Sequence, residues 1–175
     1  MLDSRYRIRK ARPDDLPLLG VIEAEAGKLF AGIGLGGITD GDVTTLEDFA
    51  ECQEVGLLWV AVDRTDAPIG FAYVEVVGGQ THLDELDVHP DHGRRGVGAA
   101  LVRTVLAWAR THGYTRLTLT TFRDVPWNLP FYANLGFRVL AETEWTPELR
   151  QIVDDETRRG LPRERRVVMQ HDFSE

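Results

Sequence analysis

The stretch His82 to His112, HLDELDVHPDHGRRGVGAALVRTVLAWARTH, constrains the fold more than any other part of the chain. It predicts a strand, a sharp glycine-rich turn and an amphipathic helix in direct succession. His82 to Val88 has extended character, with Leu83, Leu86 and Val88 as its apolar residues. Pro90 ends that strand, because proline has no N–H to give to a ladder. After the turn, Leu101, Val102, Val105, Leu106, Trp108 and Ala109 recur at helical spacing. Gly113 stands where a helix C-cap is expected.

The turn itself, Gly93, Arg94, Arg95, Gly96, Val97 and Gly98, suits an anion. Three glycines allow positive φ and remove side-chain bulk beside a ligand. Successive N–H groups can then converge on phosphate oxygens at the positive end of a helix dipole. Arg94 and Arg95 bring mobile positive charge to the same place. On these residues alone, a plain tight turn with solvated arginines stays open. Two phosphate motifs are excluded. A P-loop ends in Gly-Lys-Ser/Thr, and a dinucleotide fingerprint reads Gly-x-Gly-x-x-Gly, whereas the order here is Gly-x-x-Gly-x-Gly.

At 175 residues the chain is long enough for one domain with a proper core, and one domain over 1–175 is expected. The net charge of −8 argues against nucleic acid or an anionic membrane as main partner, since both need a basic face. A single cysteine, Cys52, forms no internal disulfide, which points to reducing cytoplasm. It falls in a helical pattern and reads as a small buried apolar group. The first fifteen residues are charged and lack an apolar h-region, so no signal peptide is expected. The longest apolar run is far short of a membrane span.

Taken in order, Tyr6 to Lys10 alternates as a strand, and Pro13 with Asp14 and Asp15 starts a helix whose apolar stripe is Leu16, Leu19, Ile22 and Ala26. Ala31 to Gly41 is dense in glycine and fits no regular element. Thr44 with Glu47 forms a capping-box pattern that opens a helix through Phe49, closed by Gly56. Leu57 to Asp63 and Ile69 to Val77 read as hairpin strands, and Gly78-Gly79 is the next turn. Beyond the central helix, Tyr114 to Thr121 is a strand. Phe131 to Leu135 is a short helix capped by Gly136, and Phe137 to Glu142 a strand. Trp145 to Arg159 alternates acid and base as a solvated helix, and Arg165 to Phe173 is the final strand. As an edge strand, that last segment can pair between two copies as a homodimer. The pattern describes an α/β mixed sheet with helices on both faces.

The reversed glycine order, following Leu-Asp-Val-His-Pro, resembles the acyl-CoA turn of the GNAT superfamily of N-acetyltransferases, whose pattern is Gln/Arg-x-x-Gly-x-Gly/Ala. Gly93 stands where the family has Gln or Arg, which removes one side-chain contact and leaves the backbone cradle. A second element, VPWNLPFYANLGFRVL from Val125 to Leu140, resembles the family's asparagine, tyrosine and Gly-Phe in Asn128, Tyr132 and Gly136-Phe137. Here the asparagine-to-tyrosine spacing is short and Pro130 intervenes. The resemblance extends over most of residues 5 to 172.

The resemblance implies a mostly antiparallel sheet whose fourth and fifth strands splay, with acetyl-CoA as acetyl donor; His89 and His92, flanking Pro90 and Asp91 with no further ligand cluster, do not read as a metal site. The pantetheine arm would bond to the backbone of Leu86, Asp87 and Val88. The pyrophosphate would meet Gly93, Arg94, Arg95, Gly96, Val97, Gly98 and Ala99. Asn128 and Phe131 would face the coenzyme, although Asn128 also reads as an N-cap. Ala31 to Gly41 would be a mobile loop over the acceptor. Tyr132 would protonate the departing thiolate, since a phenol titrating near about 10 keeps its proton at neutral pH; a core tyrosine beside Phe131 and Phe137 is the competing reading. His82, Asp84 and Glu85 are candidates for the base that strips the acceptor ammonium, directly or through water, with no one of them preferred. A strand N–H near Leu86 or Asp87 would hold the developing carbonyl charge. The function implied is transfer of acetyl to a small-molecule or peptide amine in one ternary complex. A non-catalytic acyl-CoA-binding module and a nucleotide-binding domain are the alternatives.

Overall fold

The computed structural model describes residues 2–31 and 44–173. Its seven strands are β1 (Arg7–Lys10), β2 (Leu58–Val62), β3 (Pro68–Val77), β4 (Gln80–Val88), β5 (Arg116–Phe122), β6 (Arg138–Val139) and β7 (Arg166–Asp172). They form one mixed sheet in the order β1-β2-β3-β4-β5-β7-β6. Among the described residues there are five α-helices: α1 (Leu16–Ala31), α2 (Leu46–Glu54), α3 (Val97–Thr111), α4 (Asn128–Ala133) and α5 (Pro147–Arg158). The chain divides into two compact units, Met1–Glu75 with Asp84–Leu106, and Val76–Leu83 with Ala107–Glu175.

In the first unit, β1 and β2 pair antiparallel, as do β2 and β3. Leu16, Leu19 and Ile22 of α1 and Phe49 of α2 pack on Leu58, Val60, Val62, Phe71 and Tyr73. A 3-10 turn, Pro13–Asp15, leads into α1, and its Asp15 carboxylate accepts from the Arg12 N–H at 2.7 Å. The cap of α2 is Thr45 with Asp48, one residue later than the expected Thr44 and Glu47. Both patterns place a hydroxyl three residues before a carboxylate, so spacing alone does not separate them. β3 does not alternate: Ile69 to Val74 are all buried, because helices or strands cover both of its sides. The expected loop beyond Ala31 lies outside the described residues.

In the second unit, β4 and β5 pair parallel over Thr81↔Leu117, His82↔Thr118 and Leu83↔Leu119. β5 pairs antiparallel with β7 along its whole length. The final strand is therefore interior, with β6 on its other side, and is not the edge expected for inter-subunit pairing. The segment expected as a solvated helix is amphipathic: Thr146 caps α5, and Leu149 and Val153 pack on Leu140, Trp145 and Val168. β6 keeps only two residues of the expected Phe137 to Glu142 strand, because a 3-10 turn follows at Glu142–Glu144. The short helix begins at Asn128, three residues early. Pro130 lies in its first turn, where a missing N–H costs nothing. Among the described residues, no helix is long and apolar enough to cross a membrane.

Candidate functional site

The glycine-rich turn belongs to the first unit. β4 ends at Val88, a 3-10 turn spans Pro90–His92, and α3 begins at Val97. The left-handed backbone falls on Arg94 (φ 57°) and Gly96 (φ 79°). Gly93, expected to share that role, has φ −63°, and Gly98 lies inside α3. A Cβ on Gly93 would stand 3.2 Å from the Pro90 carbonyl oxygen, so packing constrains that position as well. Left-handed residues next to a helix start turn successive N–H groups toward one point, which is an anion-binding geometry. The fifteen-residue α3 adds its dipole there. Arg94 is exposed and Arg95 half-buried. This residue set fits a pyrophosphate.

The second part of β4 in this unit is acidic. Asp84 is exposed, and Glu85, Leu86, Asp87 and Val88 are half-buried. Burial, then the charges of Asp87, Asp84 and Glu23, push the Glu85 carboxyl well above the usual carboxylate range; a hydrogen bond from the Leu86 backbone works against the rise. Burial and Glu23 push Asp87 up as well. Glu23, on α1, accepts from Thr44 N–H at 3.0 Å. Gly70 of β3 is a position the sequence did not reveal. A Cβ there would meet the Asp87 carbonyl oxygen at 2.8 Å, so only glycine lets β3 come this close to the acidic strand. Cys52 is half-buried, and burial lifts its thiol to about 11, which makes it inert as a nucleophile.

The remaining candidates belong to the second unit. His82 is 1% exposed, and its Nδ1 lies 2.9 Å from the Thr118 hydroxyl. Burial pulls its pKa down to about 4, so the ring is neutral. Asn128 is not an N-cap, since Trp127 occupies that position; its Nδ2 donates to the Thr121 hydroxyl at 2.9 Å. Tyr132 is half-buried, its ring edge-on to Phe131 at 4.9 Å and to Phe137 at 5.8 Å. Gly136, next to it in the chain, has φ 89° and closes α4.

The model of the acetyltransferase (GNAT) family matches residues 38–137. A peptidyl-lysine N-acetyltransferase, YjaB of Escherichia coli, is 36% identical over 87 residues, which is 50% of this chain and 53% of that protein. A mycothiol acetyltransferase of Nocardiopsis dassonvillei is 38% identical over 68 residues, 34% of this chain and 20% of that protein. The chain thus spans about half or less of the curated relatives it matches. Among solved structures, the PaiA N-acetyltransferase of Thermoplasma acidophilum in complex with coenzyme A superposes with a TM-score of 0.75 at 17% identity, covering 96% of this chain and 99% of that one. That likeness shows the fold.

Proposed function

We propose, from the premise that this chain belongs to the acetyltransferase (GNAT) family, that it moves an acetyl group from acetyl-CoA to a primary amine by direct attack within one ternary complex. The observation that carries this reading is the turn before α3, with Arg94 and Gly96 in left-handed backbone beside two guanidinium groups. Acetyl-CoA supplies the acetyl group as a thioester. In this reading the N–H groups from Arg94 to Gly98 hold the pyrophosphate, with Gly93 and Ala99 flanking them, and the backbone of Leu86, Asp87 and Val88 takes the pantetheine arm. Asn128 and Phe131 line the same coenzyme.

A carboxylate takes the proton that the acceptor ammonium must lose. Glu85 is the candidate we favour among His82, Asp84 and Glu85, since burial and the neighbouring acids raise its basicity above that of an ordinary carboxylate. His82 is closed from solvent and titrates near about 4, which weakens it in that role. The amine nitrogen forms a bond to the acetyl carbon, a Leu86 or Asp87 N–H holds the charge on the carbonyl oxygen, and the carbon–sulfur bond breaks. Tyr132 gives its phenolic proton to the departing thiolate, and the second proton, which the nitrogen sheds on becoming an amide, restores the phenol. The acceptor is a small-molecule or peptide amine; the relatives' names support both kinds.

The test is release of free thiol from acetyl-CoA in the presence of lysine peptides, polyamines and small primary amines. We expect turnover with at least one amine, and a fall in kcat on the order of 100-fold for both Tyr132→Phe and Glu85→Gln. Coenzyme binding without turnover on any amine would favour a non-catalytic acyl-CoA-binding module and overturn the enzymatic reading.

A further inference from the structure

Tyr6 stands just ahead of β1, 7% exposed, and the sequence gives it no role beyond the start of a strand. Its hydroxyl is the centre of a relay with residues far along the chain. Arg95 donates through Nη1 to the Tyr6 oxygen at 2.7 Å. The same oxygen lies 3.0 Å from His92 Nδ1, and the two rings meet edge-to-face at 5.6 Å. The Asp3 N–H donates to the Arg95 carbonyl at 3.3 Å, so main chain and guanidinium of Arg95 are both tied to residues 3–6.

The direction of the relay follows from donor chemistry. A guanidinium only donates, so the Tyr6 oxygen accepts from Arg95 and its own hydrogen points at His92 Nδ1. That nitrogen must then carry no proton, an assignment made from the network. Burial, then the charges of Arg95 and His89, lower the His92 pKa against Asp63 and Asp91, in the same direction as the network requires. Arg95 sits between the two left-handed residues Arg94 and Gly96, immediately before α3. A guanidinium has five N–H groups, and a bond to Tyr6 leaves others for a ligand while fixing the plane of the group.

We propose that Tyr6 and His92 are positioning residues that aim the Arg95 guanidinium at the coenzyme's phosphate. This rests on the acetyl-CoA reading above. An arginine already ordered by the protein loses less freedom when the phosphate arrives, which strengthens binding without a new contact. It also gives this chain a fixed cation beside Gly93.

Calorimetric titration of coenzyme A into wild type, Tyr6→Phe, Arg95→Ala and the double variant tests the idea. Tyr6→Phe keeps the buried ring and removes only the hydroxyl. We expect about five- to tenfold weaker binding for Tyr6→Phe, the size of one ordinary hydrogen bond. The loss should vanish in the Arg95→Ala background, and in turnover it should fall on KM for acetyl-CoA and not on kcat. His92→Phe, which keeps an edge contact with Tyr6, should show a smaller loss of the same kind. Tyr6→Phe binding as tightly as wild type, or an equal loss with and without Arg95, overturns the inference alone. Wild-type protein that takes up no coenzyme overturns the acetyl-CoA reading and this inference together.

Discussion

The buried Glu156 and the acidic end of β4 meet opposite surroundings in this protein. In the second unit, Glu156 of α5 is buried and answered on every side: Arg166 donates to it through Nη2 at 2.7 Å and Nε at 3.0 Å, and the Thr120 hydroxyl donates as well. In the first unit, burial and then the charges of other acids, Asp87, Asp84 and Glu23, raise the Glu85 pKa, against a hydrogen bond from the Leu86 backbone. A paired carboxylate inside a protein holds structure together. A set of carboxylates that raise one another's pKa does little for the fold. The same unit also carries Arg94 at φ 57°, a left-handed conformation that an L side chain adopts at a cost.

The largest way to break this comparison is Arg166→Ala, which leaves Glu156 buried without its cation. The expected loss is about 3–5 kcal/mol in urea unfolding, while replacing both partners by apolar residues of similar volume should cost far less. A loss below about 1 kcal/mol would remove the contrast.

His82 gives the next effect. Its pKa is about 4 in the fold and 6.5 when unfolded, so between those values the unfolded chain binds more protons. Stability from the neutral ring is complete above about 6.5 and is lost as the pH falls toward about 4, by about 3 kcal/mol. Unfolding free energies measured across that range should show this acid limb, and His82→Gln should flatten it.

Glu85→Gln should act in the opposite sense to Arg166→Ala. The folded pKa of Glu85 is raised, so stability present in the ordinary carboxylate range declines as the pH rises through the folded value. The glutamine variant should therefore match wild type below the ordinary glutamate value of 4.5 and gain on it in urea unfolding as the pH rises above that value. Arg94→Gly is expected to be smallest, a gain of at most about 1 kcal/mol from relief of the left-handed strain, offset by glycine's greater unfolded entropy.

The strand, turn and helix from His82 onward were legible because periodicity, proline and glycine all agreed there. What stayed hidden depends on partners distant in sequence. Tyr6 meets His92 and Arg95 across 86 and 89 residues, a separation no local pattern registers. The glycine spacing pointed to glycine at the left-handed positions, yet the chain puts Arg94 at one of them. The strand pattern around His82 carries no sign of its burial, yet in the fold it is 1% exposed and pairs in register with Thr118 of β5. α4 starts at Asn128, ahead of the expected Phe131, because Pro130 is tolerated in a first turn. The interior place of β7 follows from sheet order, which the strand's own residues do not encode.

Calorimetric titration of coenzyme A into wild type and Gly96→Val tests the central claim most directly. The turn is held to grip a pyrophosphate through left-handed backbone at Gly96, where φ is 79°. The account predicts saturable binding to wild type and a loss of roughly tenfold or more in a Gly96→Val protein that keeps its far-ultraviolet circular dichroism. Binding of equal strength in both proteins, or none in either, would contradict it.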